Sequence, residues 1–167
     1  MYNISIIGAG SWGTAVAIML AKKGCNVKQW VRRQELCNQI KETKENITYL
    51  PGIVIPSNID MTSDLEYCCK GSDLIVLATP SHAVREAAHS IKPYVNKEQI
   101  IVNLAKGIEN DSLMRMSQII EEVLPSNKAA VLSGPCHAEE VARDIPTAIV
   151  SSARERAVAE YIQDVFM

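Results

Sequence analysis

Three glycines stand in the run Gly8-Ala9-Gly10-Ser11-Trp12-Gly13, where a short apolar stretch gives way to a helical pattern. Their chemistry is that of the backbone. Gly8 permits a tight turn, Gly10 lets the main chain approach a ligand, and Gly13 lets the following helix lie close to the strand. Free amides and the helix dipole at such a turn favour a phosphate anion, here the pyrophosphate of a dinucleotide.

The next residues of interest end the second apolar run. An acidic side chain there would accept hydrogen bonds from a ribose 2′-hydroxyl. This chain has Arg32-Arg33 instead, with no Asp or Glu before Glu35. A carboxylate would repel a 2′-phosphate, whereas a guanidinium grips one in a bidentate fork. NADPH is therefore the expected cofactor. The alternative is a solvated arginine pair, with Arg33 stacked on adenine and NADH accepted as well.

Pro80-Ser81, Asn103-Leu104-Ala105-Lys106-Gly107 and Ser133-Gly134-Pro135 each follow an apolar run directly. In a parallel sheet, such positions deliver residues to the ligand crevice at the strands' carboxyl ends. A lysine placed like Lys106 meets a phosphate or polarises a carbonyl. Spacing alone equally fits a surface lysine before a turn glycine. The 3 histidines and 5 cysteines show no zinc-ligand spacing, so no metal is expected.

The elements that must position these groups alternate along the chain. Strands are expected at Ile4–Ile7, Val27–Val31, Asn58–Met61, Leu74–Ala78, Ile100–Leu104, Ala129–Leu132 and Ala148–Val150. Helical patterns run over Trp12–Lys23, Gln34–Glu45, a short stretch capped by Ser63, His82–Ile91, Ser112–Val123 and Ala153–Met167. A loop holds Tyr49-Leu50-Pro51-Gly52. This alternation specifies an α/β fold of the Rossmann type: a doubly wound, mainly parallel sheet with helices on both faces. Residues 1–167 read as one dinucleotide-binding domain without a linker or repeat.

Composition sets the exclusions. With 47% hydrophobic and 22% charged residues the chain reads as a soluble globular protein, and a net charge of −2 gives no footprint for nucleic acid. No apolar run suffices for a membrane span, and no signal peptide precedes the first strand. An odd number of cysteines without CxxC spacing reads as free thiols in a reducing cytoplasm.

Taken together, GAGSWGTAVA (8–17), the YLPG loop, Pro80-Ser81 with Arg85, LAKGIE (104–109) and SGPCHAEEVARDIPTA (133–148) resemble the bacterial-type NAD(P)-dependent sn-glycerol-3-phosphate dehydrogenases. The resemblance covers essentially the whole chain. It implies hydride transfer between C2 of glycerol 3-phosphate and the nicotinamide, interconverting it with dihydroxyacetone phosphate for phospholipid synthesis. It also implies residue roles. Ser11 and Trp12 would contact the cofactor near the pyrophosphate, and Arg32 and Arg33 its adenosine end. Lys106 would touch both cofactor and substrate, Gly134 and Cys136 would line the substrate site, and Ala138 would face the cofactor.

The chain departs from the family's pattern in two ways. Cys136 and His137 stand where the family commonly has Ser or Thr, then Phe, and a thiol is the weaker hydrogen-bond donor. The family also continues into a helical domain that carries the acid/base lysine. That lysine is expected beyond Met167, so these residues should bind dinucleotide without catalysing turnover, and a homodimer of the full-length protein stays open. Two other functions compete. One is a stand-alone NAD(P)-sensing module, which would not need Lys106 or the segment at 133–148. The other is a related dehydrogenase for a different hydroxy acid, which would not be expected to carry LAKGIE.

Overall fold

The computed structural model describes residues 1–167. Its first unit is β1 (Asn3–Ile7), α1 (Ser11–Lys22) and β2 (Asn26–Trp30), with β2 parallel to β1 and Ile4 beside Val27. Next come α2 (Gln34–Thr43), a hairpin of β3 (Glu45–Asn46) and β4 (Leu50–Val54), and β5 (Ile59–Thr62). The second half is α3 (Leu65–Cys69), β6 (Leu74–Leu77), α4 (Val84–Ile91), β7 (Ile100–Asn103), α5 (Met116–Val123) and β8 (Ala129–Ser133). It closes with α6 (Ala138–Ala142), β9 (Val150–Ala153) and α7 (Arg156–Phe166).

Seven strands form one sheet in the order β5-β2-β1-β6-β7-β8-β9, parallel throughout except for β9, which runs antiparallel to β8. The order reverses between β1 and β6. The crevice outside their carboxyl ends is the place where open α/β sheets bind ligands.

Side chains of period two divide the interior. Ile4, Ile6, Leu74, Val76, Val102 and Leu104 feed a core under α1, α2, α6 and α7. Ile7, Ile75, Leu77 and Ile101 feed a second core under α3, α4 and α5. Strands such as β6 are buried on both faces, which explains their unbroken apolar runs. Each fully buried Ile or Leu contributes about 1.5–3 kcal/mol. Helix α1 is buried continuously from Gly13 to Ile18, and α6 packs across it.

Several local expectations are corrected. The segment around Tyr49 is a hairpin rather than a plain loop; Pro51 and Gly52, residues that normally break strands, disguise β4. The fifth helix begins at Met116 rather than Ser112. Leu113 adopts φ 56° and Ile108 bridges to Arg115, so residues 108–115 fold back on themselves. The cap of α3 is Asp64, whose carboxylate accepts the Tyr67 N–H at 3.0 Å, while the Ser63 hydroxyl bonds to Gln34 instead. The last strand spans Val150–Ala153 rather than 148–150, which delays α7 to Arg156. Helix α6 was not anticipated, being too short to show a period. No helix is long and apolar enough to cross a membrane.

Candidate functional site

The glycine turn is built by contact. Gly8 sits at φ +119°, and a Cβ there would lie 2.7 Å from the Ala78 carbonyl oxygen. A Cβ on Gly13 would lie 2.6 Å from the Gly8 oxygen, so these two positions exclude any side chain. Gly10 is different. Nothing lies within 4 Å of where its Cβ would be, leaving an open approach to the backbone.

Side-chain and main-chain bonds fix the turn. Gln29, buried in β2, donates its amide to Gly8 O at 2.9 Å, and the Gly8 N–H donates to Trp30 O at 3.2 Å. Asn46 of β3 donates to Ala9 O and to the Thr14 hydroxyl, both at 2.9 Å. The N–H groups of Ser11, Trp12 and Gly13 have no partner within the protein, and α1 has no side-chain cap. Unpaired donors at a helix N-terminus attract an anion.

Gly8, Gly10, Arg32, Arg33, Thr79 and Glu86 line one cavity of about 290 Å³ over the switch point. Arg33 donates to the Tyr49 hydroxyl at 3.3 Å, placing the hairpin beside the cavity. Arg32 is exposed and makes no ion pair or hydrogen bond. The Thr79 hydroxyl is buried with no hydrogen-bond partner. An unpaired buried polar atom, free helix-end amides, an open glycine and an unpaired guanidinium are what a dinucleotide would satisfy. The residues present fit that group.

Lys106, Gly134 and Cys136 are brought together at the carboxyl ends of β7 and β8, outside that cavity. Lys106 Nζ donates to Gly134 O at 2.7 Å and stands 3.7 Å from Cys136 Sγ. The Cys136 thiol in turn donates to Gly134 O at 3.3 Å. An ammonium has three protons, and with one on Gly134 O and one directed at Cys136 Sγ, Lys106 keeps one for an incoming anion or carbonyl. Gly134 holds its place by lacking a side chain, since a Cβ there would lie 2.6 Å from Ala148 O.

Trp12 stands apart from the dinucleotide cavity. With Leu104, Val141 and Ile149 it lines a separate cavity of about 870 Å³ bordered by α1, α6 and α7. Ala138 is buried in α6. His137 is exposed at the start of α6 and caps nothing.

Sequence reasoning missed Asn46, Thr79 and Glu86. Thr79 carried a usable signal, as the polar residue closing the β6 run at its carboxyl end. Asn46 carried none, because its partners lie 37 and 32 residues away.

The remaining thiols are structural. Burial pushes Cys68 and Cys69 up to about 12, and raises Cys25 and Cys37 as well. All five cysteines are free.

Comparison with known proteins matches residues 3–159 to the family described as NAD-dependent glycerol-3-phosphate dehydrogenase N-terminus. The glycerol-3-phosphate dehydrogenase [NAD(P)+] of Moorella thermoacetica is 51% identical over 99% of this chain and 49% of its own length. That of Clostridium acetobutylicum is 47% identical over 100% of this chain and 50% of its own. The chain thus spans about half the length of the curated relatives it matches. Among solved structures, a glycerol-3-phosphate dehydrogenase from Coxiella burnetii superposes with a TM-score of 0.93 at 30% identity, over 99% of this chain and 51% of that one.

Proposed function

Since the chain belongs to the NAD-dependent glycerol-3-phosphate dehydrogenase N-terminus family, we propose that it is the cofactor-binding half of a cytoplasmic oxidoreductase acting on dihydroxyacetone phosphate and glycerol 3-phosphate. The observation that carries this reading is the convergence of Lys106, Gly134 and Cys136 at the carboxyl ends of β7 and β8, the same edge of the sheet as the glycine turn. A module that only sensed dinucleotide would have no use for that cluster.

In this reading the free amides of Ser11, Trp12 and Gly13 would hold the pyrophosphate, and Gly10 would allow its approach. Arg32 and Arg33 hold the adenosine end, with Arg32 on the 2′-phosphate of NADPH. The Trp12 side chain lies on the cavity bordered by α1, α6 and α7, and Ala138 would face the cofactor from α6. When bound, the nicotinamide would supply or accept the hydride. Lys106 would turn its remaining proton toward the substrate's oxygen or phosphate, with Cys136 and the Gly134 backbone bordering it. None of the three moves the reaction's proton; their work is to bind and orient.

Titration of the purified chain with NADPH and NADH tests this directly. The wild type should bind both, NADPH more tightly, and Arg32→Ala should erase that preference by weakening NADPH about tenfold while sparing NADH. Tighter binding of NADH by the wild type would sink the cofactor assignment, and turnover of dihydroxyacetone phosphate by these residues alone would sink the division of labour.

A further inference from the structure

The use of Lys106 depends on where its backbone is held, yet nothing bonds that backbone directly. Neither the N–H nor the C=O of Lys106 or Gly107 enters a hydrogen bond within the protein. The fixed points lie on either side. Upstream, the Leu104 N–H donates to Leu77 O at 3.0 Å, and Asn103 closes on both the oxygen and the N–H of Ala105 at 2.8 and 3.2 Å.

Downstream the fixed point is Glu109. Arg85 of α4 donates to its two carboxylate oxygens through Nε and Nη2, both at 2.8 Å, and reaches Glu122 of α5 through Nη1 at 2.5 Å. The Ser112 hydroxyl also bonds to Glu109, and the Glu109 N–H donates to Met114 O at 3.0 Å. Between the anchors, Gly107 passes Ser81 at φ +135°, where a Cβ would crowd the Ser81 hydroxyl at 3.0 Å. The two carboxylates engage all three nitrogens of Arg85, so this guanidinium is committed to the fold. The same helix presents Glu86 and Ala87 to the dinucleotide cavity.

We propose that Arg85, acting through Glu109, is the positioning residue for Lys106 and sets its register against the dinucleotide cavity. The proposal rests on the functional reading above for what Lys106 does, while the positioning itself needs no ligand. A bidentate guanidinium–carboxylate pair fixes direction as well as distance, which a single ammonium contact would not.

Cys136 supplies the reporter. It is the one cysteine that is not buried, and its sulfur stands 3.7 Å from the Lys106 ammonium. A cation beside a thiol speeds its attack on a neutral electrophile. The experiment is the rate of Cys136 alkylation by iodoacetamide in the native chain. Lys106→Met should slow it several-fold, Arg85→Met and Glu109→Gln should slow it by the same factor, and the Arg85→Met/Lys106→Met double should be no slower than Lys106→Met. The exchanged pair Arg85→Glu/Glu109→Arg should recover most of the wild-type rate.

Wild-type alkylation in Arg85→Met, in Glu109→Gln or in Lys106→Met overturns the proposal, as do multiplying factors in the double variant. If Arg85→Met exposes the four buried thiols, the fold has failed, and Glu109→Gln decides alone. NADPH titration stays a separate reading. A wild type that binds no dinucleotide defeats the proposed function and leaves the thiol result standing.

Discussion

The buried amide of Asn46 donates to the Ala9 carbonyl and to the Thr14 hydroxyl, so the β3–β4 hairpin holds the glycine turn in place. Its oxygen also accepts the Tyr49 N–H at 3.2 Å, which links the turn to the residue beside Arg33. Asn46→Ala strands the Ala9 and Thr14 oxygens in a buried setting, at about 1–3 kcal/mol for each unsatisfied group. The melting temperature should fall by several degrees, and NADPH affinity should fall with it. A variant that melts with the wild type would remove Asn46 from the turn's support.

Gly8 and Gly10 should respond in opposite ways to the same added methyl. Gly8→Ala forces a Cβ against the Ala78 oxygen in a left-handed backbone and should destabilise the fold by more than about 2 kcal/mol. Gly10→Ala meets open space at φ −72° and should cost less than about 1 kcal/mol. Its effect should fall on ligand binding, with NADPH weakened about tenfold or more. Paired thermal melts and titrations separate the two, and equal melting of both variants would contradict this account.

The Arg85 pair gives the domain an acid-side signature. The hydrogen bonds from Arg85, then from Ser112, hold the Glu109 carboxyl at about 2, well below its ordinary value of 4.5. A depressed carboxyl contributes stability that is present above its unfolded value and is lost as pH falls through its folded one. The stability gap between wild type and Glu109→Gln should be constant above about pH 5, shrink below 4.5 and close near 2. Denaturant midpoints across that range measure it, and a gap unchanged at pH 2.5 would deny the pair its role.

Cys68 and Cys69 are fully buried, and burial holds both thiols near 12. At pH 8 the native chain should therefore show one fast-reacting thiol, Cys136, and release all five in guanidinium. Rapid modification of Cys68 or Cys69 under native conditions would mean that α3 opens readily.

The central strands, the glycine turn and the residues following β6, β7 and β8 were legible in the sequence, because burial on both faces leaves unbroken apolar runs with ligand residues at their ends. The arginine pair was legible for the same reason, as polar residues closing an apolar run. The β3–β4 hairpin was not, since Pro51 and Gly52 read as loop and β3 has only two residues. The antiparallel direction of β9 was also hidden, because Ser151, Ser152 and Ala153 are small and neither strongly apolar nor strongly alternating. Asn46 and the Arg85–Glu109 pair were beyond reach, each being a contact between segments whose spacing carries no period.

The hydrogen bond from Lys106 to Gly134 crosses a seam. Lys106 hangs from the α4–α5 layer through Glu109, whereas Gly134 lies wedged under Ala148 on the way to α6, which packs on α1 over the other face of the sheet. At 2.7 Å the bond has about 0.5 Å of slack before its strength falls away. It therefore ties the two helical layers together at the site. A slip of one layer past the other would lengthen this bond and change how many protons the single ammonium has left to offer.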